Sequence, residues 1–449
     1  MKSNSNNIIQ LNGLFWEDKP EDIELDFQKH EIILKEIKSK KVGKSGPQHR
    51  IIESDNLIGL EYLKKQKESF DVIYIDPPYN TGNKDFKYND HYVDEDDEFR
   101  HSKWISFMYK RLSVAKEILS DNGAIFISID DFEHARLKLL CDGLFGQQNF
   151  VANFIRKNKS GSGHDSKQVA VEFDYILCYA KNINLLEFKK EIVDVENDPK
   201  YKHKDKHLKK RGKYYLRDLD YKGSYSKSLD YIIDAPDGTK IKSGGKIGKP
   251  NTWRWSIEKF DWGIKNDFIV FKETPKGWKV YIKQYQFVDN KDNKRIRKLP
   301  HRALIEYSNS KGSTELKDIL YQDIFTYPKP TDLICFVLDL FENKNLKVLD
   351  FFAGSGSSLH ATILQNNSDG RNRTCTLITN NENKICEEVT YERNKAVIKG
   401  YTKRSGKTVK GLSKNQLSYY KIGLKNELCG KHTVKQTRSA KLHIASTKT

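Results

Sequence analysis

The chain has 449 residues, with 79 Lys/Arg against 61 Asp/Glu and a formal net charge of +18. That length accommodates a catalytic core and a second domain, and the charge suits a polyanionic partner. No apolar stretch is long enough to span a membrane, the first residues lack the apolar core of a signal peptide, and six cysteines without a Cys-x-x-Cys pair point to a reducing cytoplasm rather than to zinc or disulfides.

In chain order, residues 1–45 carry acids at 17–26 and lysines at 35–44 and read as an appended helical segment. Residues 50–55 read as a strand ending in an acid, with a helix over 56–66 after it. Residues 71–75, apolar throughout after Asp71, read as a buried strand. It leads into Asp76-Pro77-Pro78-Tyr79-Asn80, where two prolines stiffen the turn and forbid helix. A helix over 103–119 and strands over 123–129 and 174–179 follow.

The composition then changes. Residues 191–310 hold 28 Lys/Arg against 17 Asp/Glu, interleaved with Tyr214, Tyr215, Tyr221, Tyr225, Trp253, Trp255, Trp262, Trp278, Tyr281 and Tyr285. Most of these aromatics are expected in the small core of an inserted domain. The cations at its edge, Arg254 and the cluster Lys294, Arg295, Arg297 and Lys298, are the candidates for contact with a polyanion such as nucleic acid. Beyond the insert, 346–350 reads as a strand and Phe351–Ser358 as a glycine loop, with Ser357 placed to open the helix over 358–365. Another strand covers 374–378. Residues 425–449, polar and lysine-rich, read as a disordered tail.

Strand alternating with helix argues for an α/β fold with a doubly wound, mostly parallel sheet, whose ligands bind outside the carboxyl ends of the strands. Asp55, Asp76, Asp350 and Asn380 all fall at such ends. A carboxylate, a proline-flanked carbonyl and an aromatic face at 76–79 are what a site needs to hold a planar ring with an exocyclic amine. The loop at 354–356 lacks the third glycine of a dinucleotide site and the Gly-Lys-Ser/Thr of a phosphate loop. It suits a methionine-like carboxypropyl group equally well.

The two motifs together resemble the DNA amino-methyltransferases that use S-adenosylmethionine. The order, Asp-Pro-Pro-Tyr first and Phe-Ala-Gly-Ser-Gly second, is the permuted beta arrangement of that family. Tyr79-Asn80-Thr81-Gly82, Trp104–Met108, Gly123–Asp131, Phe145-Gly146, Phe325–Pro330 and Thr379–Asn383 resemble the modification subunits of type III restriction–modification systems, over roughly residues 45 to 424. The resemblance implies a permuted Rossmann-like methyltransferase sheet with an inserted target-recognition domain. The expected domains are an appended segment at 1–45, the catalytic half at 46–190, target recognition at 191–310, the cofactor half at 311–424 and the tail at 425–449.

Roles follow from that resemblance. Asp76 and the Pro77 carbonyl accept from the target amine, Pro78 shapes the turn, and Tyr79 stacks on a flipped-out base. The cofactor set is Asp55 for the cofactor's adenine, Lys329, Pro330 and Thr331 ahead of the glycine loop, and Asp350, Phe352, Ala353, Gly354, Ser355 and Gly356 at it. Asn381 or Glu382 takes the ribose. Double-stranded DNA is the implied partner, with a homodimer and a restriction subunit as further expectations, and no metal. The expected activity is site-specific, adenine-N6 methylation. Two alternatives stand beside it: N4 methylation of cytosine, whose branch carries Ser at position 76, and an inactive DNA-binding subunit.

Overall fold

A computed structural model describes residues 8–11, 13–21, 31–82, 85–88, 91–159, 168–245, 251–322, 324–343 and 345–424. The chain divides into two compact units, one built from the sequence up to Lys189 and from Arg302 onward, the other Lys190–His301. No helix among the described residues is long and apolar enough to cross a membrane.

The first unit is organised around a ten-stranded sheet. Its strands are β1 (Ile32–Glu36), β2 (Gln48–Glu53), β3 (Phe70–Ile75), β4 (Leu119–Ile129), β5 (Phe150–Lys157), β6 (Phe173–Ala180), β7 (Leu304–Glu306), β8 (Lys347–Asp350), β9 (Thr374–Thr379) and β10 (Gln416–Leu424). Across the sheet they run β7-β5-β6-β4-β3-β8-β9-β2-β10-β1. Pairing is parallel from β4 through β3, β8, β9 and β2 to β10. β1 closes one edge antiparallel, and on the other side β6 runs antiparallel to both β4 and β5, with β7 parallel to β5. The sheet is therefore mixed, with a parallel centre.

Burial on both faces explains why Val72–Ile75 of β3 is apolar throughout. Ile73 and Ile75 enter one core with Leu57, Leu60, Trp104, Met108, Leu112 and Leu140. Val72 and Tyr74 enter the other with Leu333, Val337, Leu359, Ile363 and Val397. Helices Asn56–Lys65, Arg100–Ile118 and His134–Phe145 thus cover one face, and Thr331–Asp339, Ser357–Asp369 and Glu392–Lys399 the other. Because β2, β3, β8 and β9 point the same way, the residues that follow them meet at one edge.

Two expectations need correction. The appended segment is not helical among its described residues: Ile8–Leu11 and Leu14–Glu17 form a hairpin, and β1 joins the main sheet, with one 3-10 turn at Lys38–Lys40. Its described strands are short, two pair with each other and only β1 pairs outside the segment, so the charge runs give no sign of them. The insert was expected to reach residue 310, yet β7 belongs to the large sheet through its pairing with β5. The tail at 425–449 lies outside the described residues.

The second unit carries a three-stranded antiparallel sheet of Tyr214–Asp218, Gly277–Tyr285 and Ile269–Thr274, with helix Ile257–Lys265. Its core holds Trp253, Trp255, Phe260, Phe268 and Tyr285, with Trp262 and Trp278 packed against it, whereas Tyr221 and Tyr225 are exposed.

Candidate active site

β3 delivers Asp76 to the carboxyl edge of the sheet. The turn beyond it is anchored by Trp104, fully buried, whose indole donates to the Pro78 carbonyl at 2.8 Å. That bond occupies the Pro78 carbonyl. Asn80 leaves the turn at φ 58°, a left-handed conformation asparagine tolerates. Its amide donates to the buried Glu133 carboxylate at 2.6 Å, which His101 also meets at 2.6 Å. Both sides of the motif are thereby pinned.

Asp76 has two close polar neighbours. The Tyr79 hydroxyl donates to Oδ1 at 2.9 Å, and the Lys329 amine reaches Oδ1 at 2.7 Å, Oδ2 at 2.8 Å and the Tyr79 hydroxyl at 2.8 Å. The same amine lies 4.9 Å from the Tyr79 ring centroid. Burial, then the Asp76 charge, push the Tyr79 phenol well above its ordinary value, so it remains a donor. On the same sheet face Tyr74 bonds Ser128 at 2.9 Å, and a buried Arg156–Asp174 pair closes the layer, with Nε to Oδ1 at 2.7 Å.

The glycine loop stands at the end of β8, next to β3. Asp350 is buried and accepts from the Phe352 amide at 3.0 Å and the Ser358 hydroxyl at 2.5 Å. Burial raises its carboxyl to about 7 against the pull of these bonds. Asp350 thus supports the loop from beneath. Gly354 and Gly356 sit at φ 47° and 76°. A Cβ on Gly354 would lie 3.0 Å from the Phe325 ring, and one on Gly356 2.5 Å from the Asn394 amide nitrogen. The loop carbonyls are held in turn, Gly354 by Thr390 at 2.6 Å and Gly356 by Asn394 at 3.2 Å. The amide of Ala353 donates to the Ile378 carbonyl at 3.2 Å.

Arg393, fully buried, supports the loop's serines, donating to Ser355 at 2.9 Å and Ser357 at 2.7 Å. Burial lowers it to about 10, with Glu315 partly offsetting. Ser357 starts its helix without capping it: Gly356 is the N-cap, and the Ser357 hydroxyl donates to the Lys329 carbonyl at 2.8 Å.

The remaining cofactor candidates gather at this edge with varied partners. Asp55 caps the helix after β2, accepting from the Leu57 amide at 2.7 Å, and its other oxygen lies 3.5 Å from Arg111. Arg111 is itself gripped by Glu21 of the N-terminal segment at 2.8 and 3.0 Å and rests on Phe107, which packs against Phe352. Pro330 occupies the N-cap of helix Thr331–Asp339, and Thr331 is turned to Glu315, with its amide at 3.1 Å and its hydroxyl at 2.9 Å. Asn381 accepts from the Glu387 amide at 3.2 Å, while the exposed Glu382 pairs with Lys87.

In the second unit Lys294, Arg295 and Lys298 are exposed and Arg297 is half-buried. Arg254 donates to the Asp218 carbonyl at 3.0 Å and lies 5.4 Å from the Tyr221 ring. Sequence reading missed Arg111, Arg393 and Glu133, whose distant partners leave no local pattern. It placed Lys329 with the cofactor, whereas its amine lies on Asp76.

A family model described as DNA methylase matches residues 70–392. The StyLTI Mod subunit, a type III restriction-modification enzyme of Salmonella typhimurium, is 30% identical over 391 residues, 78% of this chain and 55% of its own length. The EcoPI Mod subunit of Escherichia phage P1 is 31% identical over 73% of this chain and 57% of its own. The type II methyltransferase M.KpnI of Klebsiella pneumoniae is 31% identical over 73% of this chain and 79% of its own. The chain spans little more than half the length of the two type III relatives.

Proposed function

This chain belongs to the N6/N4 DNA methylase family, and from that membership and the geometry of its site we propose that it methylates the exocyclic N6 of adenine in double-stranded DNA. The observation that carries the reading is the placement of Asp76 and the glycine loop on adjacent parallel strands, β3 and β8, at one edge of the sheet. The methyl donor of the family is S-adenosyl-L-methionine, which when bound supplies an electrophilic methyl on sulfur and leaves as a neutral thioether. The loop fits it: both glycines take left-handed conformations, and Phe325, Asn394 and Thr390 already fill the space their side chains would need, so only bare backbone can stand there for a ligand to approach. The backbone of 353–356 and Phe352 would hold it, with Asp55 toward its base.

The chain's own groups act on the target amine. That nitrogen is a weak nucleophile because its lone pair is delocalised into the ring. Asp76 Oδ2 and the Pro77 carbonyl accept hydrogen bonds from its two N–H groups, favour pyramidal nitrogen and aim the lone pair. Tyr79 presents its ring to the flipped base. A carboxylate at position 76 is a stronger acceptor than the serine of the cytosine branch, which favours adenine. We further propose that the Lys190–His301 unit selects the target, and that the chain works as a homodimeric modification subunit beside a restriction subunit, a reading supported by its likeness to type III relatives.

The test uses whole-genome-amplified DNA, which carries no methylated bases. Incubation with the protein and S-adenosyl-L-methionine, then mass spectrometry of the nucleosides, should yield N6-methyladenine. N4-methylcytosine, or no methylated base, would overturn the proposal.

A further inference from the structure

Lys329 lies 253 positions from Asp76 in sequence, yet it is the residue most tightly joined to it. Its side chain is buried, and its backbone is fixed from two sides. The Ser357 hydroxyl donates to its carbonyl at 2.8 Å, and helix Asn309–Leu320 presses so closely that a Cβ on Gly312 would stand 2.9 Å from the Lys329 carbonyl carbon. The ammonium therefore has little choice of position. It bridges both Asp76 oxygens and the Tyr79 hydroxyl, while that hydroxyl donates to Oδ1.

A carboxylate offers about four lone-pair sites. Lys329 and Tyr79 occupy two on Oδ1 and one on Oδ2, which leaves a single acceptor direction at Oδ2. We propose that Lys329 is a positioning residue for methyl transfer, locking Asp76 and Tyr79 together so that this one direction faces the target amine. The inference rests on the active-site reading above. It sets Lys329 apart from the cofactor contacts implied by sequence: Thr331 and the glycine loop lie at the same edge, but the lysine's charge is spent on Asp76.

The experiment compares wild type with K329M, K329R, Y79F and K329M/Y79F. Calorimetry gives the affinity for S-adenosyl-L-methionine without DNA. Transfer of its tritiated methyl to whole-genome-amplified DNA, at saturating cofactor and in a single turnover, gives the rate. K329M should lose about 100-fold in rate, the scale of a displaced catalytic group, with cofactor affinity within about threefold of wild type. K329R should recover part of the rate, and K329M/Y79F should fall no further than K329M, since the two residues act as one unit. Equal losses of rate and cofactor affinity would make Lys329 a cofactor ligand and overturn the proposal. An unchanged rate in K329M would overturn it too, as would additive losses in the double variant. Should K329M fail to fold, K329R and Y79F decide: unchanged rates in both would contradict the lock. Failure of the underlying reading is separately visible, because wild type itself would then transfer no label to DNA.

Discussion

Asp350 shows how one side chain ties the loop's support to pH. Its carboxyl is raised to about 7 by burial, while in the unfolded chain it titrates near the ordinary 3.8. Between those values the folded state holds a proton that the unfolded state has lost, so Asp350 makes stability fall as pH rises from about 4 to about 7. The full difference amounts to at most about 4 kcal/mol, at 1.36 kcal/mol per pH unit. An amide can still accept from the Phe352 backbone and donate to Ser358 without titrating. D350N is therefore expected to hold its melting temperature more nearly constant from pH 4.5 to 7.5 than wild type does. Parallel melting curves for the two proteins would contradict the assignment. The aspartate at 76 was legible in sequence because it sits in a local motif at a strand end. Its lysine was not, because a contact across 253 residues leaves no local pattern.

At the scale of elements, the parallel centre of the sheet was readable because strands buried on both faces carry consecutive apolar residues, as Val72–Ile75 of β3 does. β5, β7 and β10 mix polar and apolar residues and escaped notice, as did β1 with its lysine. The glycine loop was readable too, but the reason for its glycines was only half visible. Gly356 needs φ 76° and also has Asn394 and Thr390 against the space a side chain would take. Gly370 has φ 70° but nothing within 4 Å of its Cβ position. G356A should thus lower stability more than G370A, whose cost is the left-handed strain alone, about 1–2 kcal/mol. G356A should also weaken S-adenosyl-L-methionine binding, whereas G370A should leave it unchanged. Equal losses of stability in the two variants, measured by urea unfolding, would show that the loop yields where it is described as pinned.

At the scale of the whole molecule, the proposal divides chemistry and recognition between two units. The sheet unit collects Asp55, Asp76, the glycine loop and Asn381 at one edge, although they come from both ends of the sequence. The Lys190–His301 unit has its own core and exposed cations. Base contacts specify and phosphate contacts position, so exchanging 190–301 for the matching segment of a relative with another target should move the methylated sequence with it. A chimera that still methylates the original sequence would refute that division. In the proposed mechanism Asp76 acts on the target amine and not on the cofactor. D76A, assayed for transfer of tritiated methyl to whole-genome-amplified DNA and for S-adenosyl-L-methionine affinity by calorimetry, is expected to bind the cofactor as wild type does and to transfer no label. Transfer near the wild-type rate, or a loss of cofactor binding that accounts for the lost activity, would contradict it.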